Sequence, residues 1–218
     1  MKHQGVFITL EGIDFCGKST QADMLVRHLK ECGHEPLFLR EPGGTALSEK
    51  VREILLNRGD VDVTDRAELL LFLAARSQLV DEVIMPAIES GRIVVCDRFY
   101  DSTYAYQGYA RGLPLDVITE MNTFATFGLV PDLTLLYDLA VEAAQQRGTG
   151  TVPAHDRLEK EKVDFHRRVR EGYLELASRD PDRIRVIDAD PDPAEVWKRT
   201  WELTRQSLSE HGIELDEK

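Results

Sequence analysis

The sequence predicts an α/β domain, one parallel sheet of five strands with helices on both faces. Two observations carry this. Short apolar runs alternate with stretches of helical periodicity along the chain, the pattern of strands joined by crossover helices. Polar residues also gather just after the first three runs, at positions 11–20, 41–45 and 97–98. The carboxyl ends of strands in such a sheet are where ligands collect.

The elements follow in order. Val6-Phe7-Ile8-Thr9-Leu10 reads as a buried strand, and Ala22, Leu25, Val26 and Leu29 give the stripe of the first helix. Gly33 closes a turn before the second strand, residues 36–40. Leu47, Val51, Ile54 and Leu55 mark a helix, and Asp65 with Glu68 has the spacing of a capping box opening a longer one through Leu69, Phe72, Leu73 and Leu79. Pro86 should bend that helix. Ile93-Val94-Val95-Cys96 is the third strand, ending at Asp97. A further helical stretch ends near Gly128, and Leu133-Thr134-Leu135-Leu136 is the fourth strand. Residues 159–179 form a charged helix, residues 185–187 the fifth strand, and Pro193 starts a last helix carrying Trp197 and Trp201. Residues 147–157 lack periodicity and read as a mobile lid loop. No repeat or linker interrupts the chain, so residues 1–218 form a single domain.

Between the first strand and helix lies Gly12-Ile13-Asp14-Phe15-Cys16-Gly17-Lys18-Ser19-Thr20, which matches G-x-x-x-x-G-K-[ST]. The glycines let backbone N–H groups converge as an anion nest at a helix N-terminus. Lys18 supplies a point charge for β- and γ-phosphates, and the Ser19 hydroxyl reaches Mg²⁺. The strand–loop–helix context makes this the P-loop NTPase fold, and the chain a nucleoside triphosphate binder.

At 218 residues and 42% hydrophobic, the chain can build one full core. A net charge of −12 disfavours nucleic acid or anionic membrane as partner, so anionic substrates must be met by local arginines. The three cysteines, Cys16, Cys32 and Cys96, form no C-x-x-C pair, which suits a reducing cytoplasm. Cys16 reads as small filler inside the loop. The six histidines have no zinc-ligand spacing. With no signal-peptide pattern and no apolar run of membrane length, the expected location is cytoplasmic.

The phosphate loop is shared by switches, motors and kinases, so the surrounding motifs must choose among them. Residues 39–45 (Leu-Arg-Glu-Pro-Gly-Gly-Thr), 72–80 (Phe-Leu-Ala-Ala-Arg-Ser-Gln-Leu-Val), 97–108 (Asp-Arg-Phe-Tyr-Asp-Ser-Thr-Tyr-Ala-Tyr-Gln-Gly) and 131–138 (Pro-Asp-Leu-Thr-Leu-Leu-Tyr-Asp) occur in this order. With the phosphate loop, this set closely resembles the bacterial thymidylate kinases, from about Val6 to the last helix. The resemblance implies transfer of the ATP γ-phosphoryl group to dTMP, Mg²⁺ accompanying ATP, and a homodimer. It places residues 12–20 and Arg147 on ATP, and Ser19 and Asp97 near Mg²⁺. Asp14 is placed on the sugar 3′-hydroxyl, Phe72 stacked on thymine, and Arg76 donating to its O4. Arg98 grips the acceptor phosphate with help from Arg52. Ser102, Thr103 and Gln107 contact base and sugar, and Tyr106 faces the 2′ carbon. Phe15 departs from the small residue common at its position, which predicts a different sugar-side shape. The loop between Gly12 and Gly17 carries no cation, so the lid must supply one from Arg147, His155 or Arg157, of which Arg157 is the leading catalytic candidate.

The acceptor dTMP is mostly dianionic near neutral pH. It therefore needs no general base, only in-line positioning and charge neutralisation by Lys18, Arg98, Arg157 and Mg²⁺. Two rivals remain at this stage. A deoxynucleoside kinase would need a base for a neutral hydroxyl, for which Glu41 is available. A nucleotide-dependent switch or assembly ATPase would have no small acceptor.

Overall fold

The computed structural model describes residues 5–56, 62–149 and 161–215. Five strands, β1 (Val6–Glu11), β2 (Leu37–Arg40), β3 (Ile93–Asp97), β4 (Leu133–Asp138) and β5 (Ile184–Asp188), form one sheet in the order β2-β3-β1-β4-β5. All four pairings are parallel. Side chains on a strand alternate between faces, and β1 uses both. Val6, Ile8 and Leu10 pack toward α1 (Lys18–Glu31), α8 (Val163–Arg179) and α9 (Pro193–Glu210). Phe7 packs the other way, with Val94 and Cys96 of β3, against Leu79, Ile84 and Ile88. Apolar residues cover both faces, as parallel sheets require.

The remaining helices are α2 (Ala46–Leu56), α3 (Asp65–Leu79), α4 (Met85–Glu89), α5 (Tyr100–Thr103), which continues into a π-helical segment, Tyr104–Ala110, α6 (Leu115–Ala125) and α7 (Val141–Gly148). Two details differ from the sequence reading and a third adds to it. The expected capping box is absent: Thr64 is the N-cap of α3, Asp65 is already helical, and Glu68 turns inward with 0% exposure. At Pro86 the helical run continues, and a π-helical segment, Val80–Ile84, directly precedes it. Proline and a π turn are both places where helices bend. Finally, Arg147 belongs to α7 rather than to a loop, while 150–160, including most of the expected lid, lies outside the described residues.

Register decides what the sheet presents. Leu10 of β1 is level with Asp97 of β3, and Arg40 of β2 is also level with Asp97. The segments after β1, β2 and β3 therefore emerge side by side. None of the described helices is long and apolar enough to cross a membrane.

Candidate active site

Those three segments line one cavity of about 820 Å³, with α2, α3, the α5 region, Arg147 and residues 189–193 completing its wall. It is lined by every described residue that the resemblance places on substrates or Mg²⁺ except Gly12 and Ile13, which belong to the same loop. Arg157 and His155 lie outside the described residues.

The phosphate loop is built by local rules. Gly12 has φ 141°, and a Cβ there would come 2.5 Å from the Tyr137 carbonyl oxygen of β4, so only glycine fits. Gly17, at φ 96°, is the N-cap of α1. Lys18 is 6% exposed, and its Nζ donates to the carbonyls of Gly12 and Ile13, both at 3.0 Å. Its charge thus rests on the loop's own backbone. Ser19 and Thr20 are exposed on the cavity wall. Cys16 is buried, with Sγ 3.7 Å from the Lys18 Nζ. Phe15 takes a left-handed φ of 62°, and its ring meets Gly148 at the end of α7, where a Cβ would lie 3.0 Å from it. The ring therefore sits against the end of α7.

The wall around Arg98 and Arg76 is held by long-range contacts instead. Arg98 follows β3 in a left-handed conformation, φ 70°, which costs a non-glycine residue roughly 1–3 kcal/mol. Its Nη2 meets Asp14 Oδ1 at 2.5 Å, and its Nη1 donates to the Gly12 carbonyl at 2.9 Å and Tyr173 Oη at 3.1 Å. The guanidinium stands 5.2 Å from the Tyr106 ring centroid. Burial raises the Asp14 carboxyl, but Arg98 and Lys18 outweigh it and hold it below the usual carboxylate range.

Beneath Arg98 lies a group that the sequence reading counted only within the polar segment 11–20. Glu11, the last residue of β1, is fully buried; it accepts from Phe99 N–H at 2.7 Å, Ser102 Oγ at 2.6 Å and Tyr173 Oη at 2.8 Å. Burial, with the nearby Asp101 charge, pushes its carboxyl up to about 7 against the opposing effect of Arg98. Ser102 is thus engaged with Glu11 and Tyr173 while lining the cavity. Only the position of Glu11 ahead of the loop glycine could have flagged it. Tyr173, on a helix that read as merely charged, left no signal.

Arg76 is 1% exposed. Its Nε lies 2.6 Å from Glu41 Oε1 and its Nη1 donates to Asn122 Oδ1 at 2.6 Å. The Glu41 contact works through charge and proximity, since its angle makes no hydrogen bond. Glu41 is therefore the arginine's counter-ion, and burial moves its carboxyl upward despite Arg76. Arg52 donates to the Pro42 carbonyl at 2.9 Å, and Phe72 is half-buried against α2. Thr103 and Gln107 are buried in the wall. On the opposite side, Arg147 Nη2 donates to the Asp190 carbonyl at 3.0 Å.

For a divalent cation, the donor set has the right chemistry. Asp97 Oδ1 is buried and meets no hydrogen-bond partner among the described residues, and Ser19 stands in the same cavity. Hard oxygen donors beside a phosphate nest suit Mg²⁺.

Comparison with known proteins agrees with this geometry. A family model described as thymidylate kinase matches residues 10–199. Over 217 residues the chain is 46% identical to the thymidylate kinase of Desulfovibrio desulfuricans, covering 97% of this chain and all of that one. It is 49% identical over 205 residues to that of Caldanaerobacter subterraneus subsp. tengcongensis, covering 94% and 97%. The crystal structure of thymidylate kinase from Ehrlichia chaffeensis superposes with a TM-score of 0.73 at 32% identity, covering 92% of this chain and 98% of that one. A phosphate nest and an arginine-lined wall opening into one cavity, on a fold and sequence shared along more than nine-tenths of the chain, mean that it belongs to the thymidylate kinase family, the enzymes that phosphorylate dTMP to dTDP.

Proposed function

We propose that the chain transfers the γ-phosphoryl group of ATP to dTMP within this single cavity. The observation that carries the reading is the register of β1 with β3, which sets the Gly12–Gly17 nest beside Arg98. Two phosphates bound there face each other across a wall that excludes bulk water on the sheet side. Positioning and electrostatic stabilisation are most of what phosphoryl transfer requires.

ATP enters with its phosphates on the loop backbone and its base toward Arg147 and Asp190. Lys18 turns from the carbonyls of Gly12 and Ile13 to the phosphates, an exchange of partial charges for full ones. Ser19 and Asp97 would hold Mg²⁺, which neutralises phosphate charge when bound. On the acceptor side Arg98, with Arg52, meets the dTMP phosphate. Phe72 stacks on thymine, Arg76 donates to O4, and Thr103 and Gln107 contact the base. Asp14 takes the 3′-hydroxyl, and Tyr106 crowds the 2′ position against ribonucleotides. Arg157 supplies the remaining charge from the lid.

One measurement tests the reaction. ADP release in a coupled assay should rise by orders of magnitude on adding dTMP with Mg²⁺ and ATP. Thymidine should not substitute, since the site offers arginines rather than a free base. Equal rates with and without dTMP refute the assignment.

We further propose a homodimer through α2, α3 and α6. Leu47 and Ile54 on α2, Leu70 on α3, and Val117 and Phe124 on α6 are exposed apolar side chains on helices packed next to one another, Phe124 at 85%. Such patches mark association surfaces. Phe124→Glu should shift the sedimenting species toward monomer, and an unchanged mass at micromolar concentration excludes this face.

A further inference from the structure

Glu68, which the sequence read only as part of a helix cap, is one of the most completely buried carboxylates among the described residues, at 0% exposure. It sits on α3 two turns before Arg76. Its Oε1 accepts from Gln107 Nε2 at 2.7 Å. Arg111 clamps the same carboxylate from the far side, with Nε 3.2 Å from Oε1 and Nη2 3.2 Å from Oε2. Arg111 is itself fixed, because its Nη1 pairs with Glu161 at 2.7 Å and its guanidinium lies 4.7 Å from the Phe165 ring centroid. A carboxylate gripped in this way cannot rotate away from Gln107 without breaking a bidentate pair.

The chemical consequence falls on Gln107. A side-chain amide has a donor end and an acceptor end, and its neighbours choose which way it points. A carboxylate accepts only, so the NH₂ end must face Glu68. The oxygen is then the end left for the cavity that Gln107 lines. Arg76, in the same wall, carries donors only. The wall therefore offers donors at one place and an acceptor at another. A pyrimidine with a carbonyl at C4 and a hydrogen on N3 matches both, whereas cytosine reverses both.

We propose that Glu68 is a specificity-determining positioning residue. It holds the Gln107 amide with its oxygen toward the nucleotide, so that the site reads the N3–H of the base. Arg111 maintains that orientation. The inference rests on the reading of the cavity as a pyrimidine monophosphate site.

The test compares kcat/KM for dUMP and for 3-deaza-dUMP, which keeps both carbonyls but replaces N3–H by C–H. The wild type should prefer dUMP by about tenfold, the value of one buried hydrogen bond. In Glu68→Gln, whose amide can accept or donate, Gln107 is free to turn, and the preference should fall to about twofold or less. The kcat with dTMP should change much less than its KM. A tenfold preference retained in folded Glu68→Gln overturns the proposal, as does a wild type that treats the two substrates alike. If the wild type phosphorylates no pyrimidine monophosphate, the failure lies in the cavity assignment itself. A second measurement needs no variant. In the wild type, the Gln107 side-chain amide protons should exchange slowly both free and with dTMP bound. Fast exchange of both protons in the free enzyme would show that Glu68 does not hold the amide and would overturn the proposal.

Discussion

The two halves of the cavity are held by different physics. In the donor half, Lys18 is positioned by carbonyls five and six residues away in its own loop. In the acceptor half, Arg98 is held by Asp14 and Tyr173, 84 and 75 residues away, and Arg76 by Asn122, 46 residues away. A loop that organises itself can be recognised from a short pattern. A wall whose side chains are fixed by distant partners depends on the whole fold, and a change in any partner propagates to the site. The donor half should therefore lose activity without losing stability, and the acceptor half should lose both.

The largest expected effect is on stability, at Arg76. Arg76→Met leaves Glu41 buried without its counter-ion, a loss of about 3–5 kcal/mol. The thermal midpoint should fall well below that of the wild type. An unchanged midpoint would mean that the acceptor wall is not the stability-coupled half.

Lys18→Ala is the matching experiment on the other side. Turnover should fall by at least a factor of about 100, the range for removing one positioned charge-stabilising group, with the midpoint nearly unaltered. A destabilised variant would blur the distinction between the halves. Arg157→Ala should resemble it, lowering kcat much more than it raises the dTMP KM, because its contact matters chiefly in the transition state. A raised KM at constant kcat would make Arg157 a binding residue only.

A subtler effect concerns pH. Glu11 has its carboxyl raised from 4.5 to about 7 in the folded chain. Between those values the unfolded chain has lost the proton and the folded chain retains it. The folded state thus binds more protons, and this group's contribution to stability is full below pH 4.5 and is lost as pH rises through about 7. Glu11→Gln removes that dependence. The wild-type-minus-variant stability should decline across this window by up to roughly 3 kcal/mol, read from urea melts at several pH values. A flat difference would show that the donors from Phe99, Ser102 and Tyr173 keep Glu11 ionised throughout.

Glu68 shows where sequence reasoning reaches its limit. Its spacing from Asp65 fits a helix cap, and the pattern is locally sound. In the folded chain a better partner competes: Arg111 and Gln107, some 40 residues on, satisfy the carboxylate in the interior, and Thr64 takes over the start of the helix. Arg147 makes the same point in reverse. Its surroundings read as loop because they lack periodicity, yet α7 continues through Gly148, whose missing side chain makes room for the Phe15 ring.

The sequence by itself determined the five strands, the phosphate nest and a group of polar residues after the first three strands. These follow from period, turn chemistry and short spacings, which act between neighbours in the chain. Only the tertiary structure decided that Glu41 serves as counter-ion to Arg76, that Glu11 and Tyr173 underlie Arg98, and that Glu68 orients Gln107. Those pairings join residues that parallel register and helix packing bring together, and burial forces each charge to find a partner once water is gone. That requirement does not exist until the chain has folded.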